Sequence, residues 1–423
     1  MVILAVGGYD PTGGAGISAD IKTSHTLGVY CLSIITSIIP QTNKEVYEKY
    51  DLSKENIENQ FKSVFEEFEI EYVKTGVLTS QSIDILLKYI DKYDLKVICD
   101  PVLASTTKYN FVDEKLMDKY IELFNKSYLI TPNREEYNKI MEFVKNKNYH
   151  LKKDLYILIT GIDDILKRNS TTINIFKGFK INKEVHGTGC VYSTAITAFL
   201  SKGYKLEDAI KEAKNFILSS IIYAKKTKYG YNSNPTYINK ETVIKNLSYA
   251  IYLLKKINFT LIPEVGSNIA ESLPLPKDFN DIASLTGRII KNKLGGFYVV
   301  GDIEFGASEH IAKIILSASK FNPKIRSCMN IKYDEDLIKT LKEKFKDKFI
   351  ISSFDRSEEP PNVSTMEWGT TIACKKIGKV PDIIYDKGGL GKEPMIRVLG
   401  KDSIDVIKKV EFIQKIYNSI KEK

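Results

Sequence analysis

Two short glycine-rich stretches hold the residues best suited to chemistry. The first, Gly7-Gly-Tyr-Asp10-Pro-Thr-Gly-Gly-Ala-Gly16-Ile-Ser-Ala-Asp20, follows an apolar run at residues 2–6. Glycines at this density let a backbone turn tightly and approach a ligand closely. The spacing is not G-x-G-x-x-G and no partner acid accompanies it, which excludes a dinucleotide fingerprint. Asp20 falls about one turn into the helix that the loop opens, where a carboxylate could face the ligand. The second stretch, Val185-His186-Gly187-Thr188-Gly189-Cys190, precedes an apolar helix over 191–200. Backbone N–H groups at a helix N-terminus flanked by glycines form an anion hole. The helix dipole at that position favours a thiolate, so Cys190 is expected to have a lowered pKa and a catalytic role. Cys31 and Cys99 fall inside strand patterns and read as core.

The elements around these loops alternate. Short apolar runs at 2–6, 30–39, 72–77, 97–100, 128–130 and 155–159 read as strands, with helical patterns between them at 15–27, 80–93 and 113–124. Such alternation predicts an α/β fold with a mostly parallel sheet covered on both faces. Residues 228–239 carry Gly, Pro and Asn without a period and read as a linker. A helical pattern over 242–255 opens a second, smaller α/β part, so the chain is divided at 1–238 and 239–423. In the second part, strands are expected at 296–300, 349–353 and 382–385, and helices at 310–319, 336–345 and 403–420. Its unusual stretches include Asn268, Gly287-Arg288-Ile289, Gly306-Ala-Ser308-Glu-His310, Asn330, Arg356, Asp386 and Gly391-Lys392-Glu393-Pro-Met-Ile-Arg397. Gly388-Gly-Leu-Gly-Lys392 is not a P-loop: the spacing fails and Glu393 stands where Ser or Thr is required.

Composition bounds what these parts can be. A chain of 423 residues exceeds one ordinary hydrophobic core. Hydrophobic residues at 43% and charged residues at 27% describe a folded, non-membrane protein. No apolar stretch reaches the ~18–20 residues that span a bilayer, and the first residues lack the basic flank of a signal peptide. Five cysteines, widely spaced and without a C-x-x-C pair, argue against disulfides or zinc and for a reducing cytoplasm. The net charge of +9 comes from lysines mixed with acids throughout, which favours small anionic ligands over nucleic acid.

The first part resembles the ribokinase-like small-molecule kinases, and among them hydroxymethylpyrimidine/phosphomethylpyrimidine kinase. The resemblance rests on Asp10–Thr23, on Asp100-Pro-Val102, on Leu129-Ile-Thr-Pro-Asn133-x-x-Glu136 and on His186-Gly-Thr-Gly-Cys190. It implies a pyrimidine bound between Asp20 and Gln41, and a Gly187-Thr188-Gly189 hole for the transferring phosphoryl group. It also implies Cys190 as the proton acceptor, Asn133 and Glu136 holding ATP with Mg2+, and Asp100 joining Glu136 as a metal ligand. A helix cap with a surface acid is the other reading of Asn133 and Glu136. Three departures stand out: Thr160-Gly-Ile-Asp163 replaces Lys-Gly-Gly-His, the family's Gln-Asn-Thr reads Gln41-Thr42-Asn43, and the lid segment 167–184 is short.

The second part resembles the archaeal-type thiamine-phosphate synthase domain over about 245–423. In that family the residues matching Arg288 and His310 are associated with synthase activity. The resemblance implies that Arg288, Lys392 and Arg397, with Arg356 beside them, neutralise a departing diphosphate, and that His310 donates to the same group. The combined expectation is a cytoplasmic bifunctional enzyme, acting as a homo-oligomer and engaging neither membranes nor nucleic acid. Its ligands would be hydroxymethylpyrimidine and its phosphates, thiazole phosphate and ATP. The alternatives are a kinase with a thiamine-phosphate-sensing second half, and a B6-vitamer kinase.

Overall fold

β1 (Val2–Tyr9) is buried along its length because residues 3–6 are apolar on both sides of the pleat. A strand of that kind belongs in the middle of a parallel sheet covered on both faces. Leu4 and Val6 pack into one core with Ile57 and Phe61, whereas Ile3 packs into another with Val191, Ala195 and Phe199. The structure, a computed structural model, describes residues 1–178, 180–389 and 391–422. Residue 179 of the lid segment and residue 390 of the rejected P-loop stretch lie outside the described residues. By its contacts the chain divides into two compact units, Met1–Tyr237 and Ile238–Lys423.

The first unit holds a nine-stranded sheet. After β1 come β2 (Tyr30–Ile38), β3 (Tyr50–Asp51), β4 (Tyr72–Thr75), β5 (Lys96–Cys99), β6 (Leu129–Ile130), β7 (Tyr156–Ile159), β8 (Asp164–Arg168) and β9 (Thr171–Phe176). Their spatial order is β3-β2-β1-β4-β5-β6-β7-β8-β9. The pairs from β2 to β7 are parallel, and β3, β8 and β9 add antiparallel edges. The chain leaves β1 for β2 on one side and later returns to β4 on the other. This reversal opens a crevice at the C-terminal ends of the strands, the place where α/β sheets bind ligands.

The helices are α1 (Gly16–Thr26), α2 (Lys54–Glu67), α3 (Ser80–Tyr93), α4 (Glu114–Lys126), α5 (Arg134–Asn146), α6 (Thr188–Ser201) and α7 (Leu206–Ile222). Ser53, Thr79, Asp113 and Asn133 cap α2 to α5 with their side chains, as such residues do. α1 and α6 begin at Ala15 and Gly187 without a side-chain cap, which leaves their first N–H groups available.

Residues 228–239 are not the free linker that their composition suggests. β10 (Lys225–Lys226) pairs with β11 (Tyr231–Asn232), and Ser233 N–H donates to the His186 carbonyl at 2.9 Å. Tyr237 packs its ring on Phe199 and Phe216. The aromatic side chains and the backbone pairing hold a glycine- and asparagine-rich stretch that has no hydrophobic period of its own.

The second unit has a seven-stranded sheet. Its strands are β12 (Ile269–Ser272), β13 (Ile282–Leu285), β16 (Ile303–Phe305), β17 (Ser327–Lys332), β18 (Ile351–Ser353), β19 (Ile383–Asp386) and β20 (Met395–Gly400); β14 (Ile289–Lys291) and β15 (Phe297–Val299) form a separate hairpin. The order is β16-β13-β12-β17-β20-β19-β18, antiparallel except for β18–β19. α8 (Lys240–Leu254) and α12 (Ser403–Lys421) cover one face, and α9 (Glu309–Phe321) and α11 (Thr365–Ile377) the other. α10 (Glu335–Lys344) completes the first of these layers.

Candidate functional site

A cavity of about 230 Å³ lies in the crevice of the first unit, at the C-terminal ends of β1, β4, β5 and β6. Its wall includes Gln41, Asp100, Asn133, Glu136, Gly187, Thr188, Gly189 and Cys190. Parallel strands all end at the same edge, so loops far apart in sequence meet there. The two glycine stretches touch backbone to backbone: a Cβ on Gly187 (φ +82°) would lie 1.7 Å from the Gly14 carbonyl oxygen. Gly16 (φ +58°) is equally constrained, its Cβ position falling 2.2 Å from the Gly8 oxygen. Only glycine permits both the left-handed backbone and that approach.

Asp10 folds the first loop. Its carboxylate accepts from Thr12 N–H at 2.8 Å, Thr12 Oγ1 at 2.8 Å and Ala15 N–H at 3.0 Å. Burial acts to raise its pKa, but His186 and Thr12 hold it below the ordinary value. Asp100 and Glu136 behave in the opposite way. Burial, opposed by Lys74 and reinforced by Asp20, pushes Asp100 up to about 6. Burial and the neighbouring Asp100 push Glu136 up to about 8. Asn133 and Glu136 form a capping box at the start of α5, with Asn133 N–H to Glu136 Oε2 and Glu136 N–H to Asn133 Oδ1 both at 2.9 Å. They are thus helix cap and cavity wall at once. One buried and one half-buried carboxyl group, each disfavouring the other's charge, offer hard oxygen donors, a set that fits Mg2+, which takes one or two carboxylates and completes its shell from phosphates and water.

Two expectations are corrected here. Asp20 does not face the cavity. Its carboxylate is buried in an ion pair with Lys74 Nζ at 2.9 and 3.0 Å, and Thr194 Oγ1 donates to it at 2.7 Å. Lys74 is fully buried in β4; desolvation acts against its charge, but Asp20, Cys190 and Asp100 raise its pKa. Cys190 lines the cavity, yet its thiol is not acidified. Burial pushes it up to about 12, although Lys74 and the Gly16 N–H act to lower it. Burial outweighs the helix end that the sequence pattern suggests.

Sequence reasoning missed three groups. Lys74 reads as a surface lysine within its strand pattern, and its partner is 54 positions away. The imidazole of His186 lies on the cavity wall, with Nδ1 3.1 Å from Thr106 Oγ1 and Nε2 3.6 Å from Asp10 Oδ2. After β7, where Thr160-Gly-Ile-Asp163 carries no lysine, Lys214 arrives from α7: its Nζ donates to the Gly161 carbonyl at 2.9 Å and pairs with Asp164 at 2.8 Å.

In the second unit the residues singled out by sequence separate. Asp386 is buried and holds both Arg356 Nε at 2.5 Å and Arg397 Nη1 at 2.7 Å. Lys392 lies 3.8 Å from Glu359. Asn268 N–H donates to Asn330 Oδ1 at 2.7 Å, and Gly266 packs against the Arg288 side chain. Arg288 follows β13 on the sheet edge formed by the start of β12, the start of β20 and the end of β19. His310 follows β16, which runs antiparallel to β13 and ends at the opposite edge. The expectation that His310 acts on a group held by Arg288 therefore fails within one chain. Arg397 is likewise no free anion clamp, because Asp386 occupies it.

The glycine-walled cavity at the switch point of a doubly covered sheet defines the first unit as a ribokinase-like small-molecule kinase fold. Residues 10–236 match the phosphomethylpyrimidine kinase family, and residues 246–411 match the family described as thiamine-phosphate synthase ThiN. Bifunctional thiamine biosynthesis protein ThiDN of Methanocaldococcus jannaschii is 80% identical over 99% of this chain and 100% of its own length. Thiamine-phosphate synthase ThiN of Methanothermobacter thermautotrophicus is 37% identical over 38% of this chain and 85% of its own. Hydroxymethylpyrimidine/phosphomethylpyrimidine kinase of Aquifex aeolicus is 33% identical over 55% of this chain and 98% of its own. The chain belongs to the family of bifunctional thiamine biosynthesis proteins, with a phosphomethylpyrimidine kinase half and a thiamine-phosphate synthase half.

Proposed function

We propose that residues 1–238 phosphorylate 4-amino-5-hydroxymethyl-2-methylpyrimidine twice with ATP. Residues 239–423 then join the diphosphate to 4-methyl-5-(2-phosphoethyl)thiazole, giving thiamine phosphate and pyrophosphate. The observation that carries the kinase reading is the single cavity shared by Gln41, Asp100, Asn133, Glu136 and the uncapped start of α6.

In the first step the hydroxymethyl oxygen attacks the γ-phosphorus, the bond to the bridging β–γ oxygen breaks, and ADP leaves. The N–H groups of Gly187, Thr188 and Gly189 stabilise the charge on the phosphoryl oxygens. Cys190 accepts the hydroxyl proton. Its thiol is protonated in the ligand-free cavity, so it serves as base only once the cosubstrate is seated; Lys74 and the Gly16 N–H are the groups that favour its thiolate. Gln41 binds the pyrimidine, and Asp20 supports the site from behind through Lys74 and Thr194. Asp100 and Glu136 would hold Mg2+, which would supply charge neutralisation on the phosphate oxygens. In the second step the acceptor is a phosphate oxygen that already carries charge, and no base is required.

In the synthase half, Arg288 and Lys392 belong to loops at one sheet edge and neutralise the departing diphosphate, while Asp386 holds Arg356 and Arg397. Uniting Arg288 and His310 in one site requires two copies of the chain, and this is the form in which the homodimer enters the proposal. The enzyme acts in the cytoplasm; no described helix is long and apolar enough to cross a membrane. The test is a product assay on the whole chain with hydroxymethylpyrimidine, thiazole phosphate, ATP and magnesium. Thiamine phosphate should form without any added enzyme, and accumulation of the pyrimidine diphosphate alone would leave only the kinase half of the proposal standing.

A further inference from the structure

A kinase that acts twice on one molecule must accept two different acceptors in one cavity. The first is a neutral alcohol. The second is a phosphate monoester, with two more charges and a longer reach. The start of α6 serves the transferring phosphoryl group in both steps, so the acceptor's own phosphate needs a donor of its own.

His186 is placed to be that donor. Its side chain is 10% exposed, and its Nε2 is buried with no hydrogen-bond partner. Of the buried side-chain atoms left without a partner among the described residues, this is the one that belongs to a residue on the cavity wall. A buried donor left unpaired costs about 1–3 kcal/mol, so such a group is retained where something else pairs with it. The residue that carries the ring is braced. Its backbone is fixed on both sides, with His186 N–H donating to the Tyr231 carbonyl at 2.8 Å and Ser233 N–H donating to the His186 carbonyl at 2.9 Å. Thr106 Oγ1, 3.1 Å from Nδ1, can donate to that nitrogen, which leaves the N–H on Nε2. Asp10 Oδ2 lies 3.6 Å from Nε2, near enough to orient the N–H and too far to satisfy it. Asp10 itself is already occupied by Thr12 and Ala15. His186 also borders an adjoining cavity of about 430 Å³ that shares Thr106, so there is room beside the imidazole for a bulkier acceptor.

We propose that His186 Nε2 binds the phosphate of the monophosphate acceptor and is thereby the residue that distinguishes the second phosphorylation from the first. The inference rests on the kinase reading above. It assigns the two steps to neighbouring residues: Cys190 serves the alcohol, and His186 serves the phosphate.

The test compares kcat/KM for hydroxymethylpyrimidine and for its monophosphate in the full chain. His186→Asn keeps a polar group near Thr106 and removes the outer N–H. The ratio of the two kcat/KM values should move against the monophosphate by roughly 10- to 100-fold, the loss of a hydrogen bond to a charged group. His186→Gln, whose amide N–H reaches the Nε2 position, should recover part of that ratio. An unchanged ratio, whatever the absolute rates, would overturn the proposal. A second measurement needs no variant. The chain has four histidines, so 15N-histidine-labelled wild type gives few ring signals. The His186 Nε2 signal should shift with the monophosphate and not with the alcohol; equal shifts with both would also overturn it. A wild-type chain inert toward both acceptors would instead remove the kinase reading itself.

Discussion

The two units place their chemistry by opposite rules. In the first, β1, β4, β5 and β6 are parallel, and the loops that follow them end at one edge. Residues as far apart as Gln41, Asp100, Glu136 and Cys190 therefore share one cavity. In the second, neighbouring strands are mostly antiparallel, so the residues that follow successive strands alternate between edges. Arg288 and His310 sit only 22 positions apart, by subtraction of their numbers, and still leave the sheet on opposite sides. A parallel sheet gathers its motifs within one chain; an antiparallel one separates them unless something outside the chain reunites them.

The largest effect expected is at the gathering point. Cys190→Ala should slow phosphorylation of the alcohol by about 10²–10⁴-fold, the usual worth of a general base, and slow the second step far less. Equal losses would leave Cys190 as part of the anion hole only. With the thiol held up to about 12 in the free protein, wild-type kcat/KM for the alcohol, measured with ATP well below saturation, should keep climbing with pH. That ratio reports the free enzyme, so a plateau below neutrality would contradict the assignment.

The next effect probes the separation in the second unit. Arg288→Ala and His310→Ala should each lower thiamine-phosphate formation from purified diphosphate and thiazole phosphate. Mixed and reassembled in equal amounts, the two inactive chains should recover about a quarter of wild-type activity, because half the dimers are mixed and each of those keeps one intact site. No recovery would locate the whole site within one chain, and wild-type rates in both single variants would remove these residues from it.

The smallest effect concerns stability. Glu136 ionises at its ordinary value of 4.5 in the unfolded chain and at about 8 in the folded one. Folding takes up a proton between those values, so the contribution present at acid pH is lost as pH rises through that window. Glu136→Gln should therefore raise the melting temperature of the ligand-free protein at pH 8 by several degrees, with the gap closing toward pH 4. A difference independent of pH would show that the carboxyl is not held protonated.

Much of the fold was legible. The apolar run at 2–6 marks β1, and the spans expected at 80–93 and 403–420 coincide with or fall within α3 and α12. Two central strands of the second unit were not legible. β17 and β20 carry Asn330 and Arg397 in their interiors, and no single-sequence pattern shows that Asp386 compensates Arg397. The same blindness hid Lys74 and misdirected Asp20, because a buried ion pair between distant positions resembles two solvated charges. Cys190 failed differently: the helix end is written locally in the sequence, and the burial that overrides it is not.

The short ladder at 225–232 has a practical meaning for anyone dividing this protein. A fragment ending at 228 would retain every glycine, acid and cysteine by which the kinase half is recognised, and would lose Tyr231 and Ser233, which hold the His186 backbone. Such a fragment would look complete to a motif search and lack the strand that braces one wall of its cavity. The compact unit of this half extends beyond its last recognisable motif, to Tyr237, whose ring packs on Phe199 and Phe216.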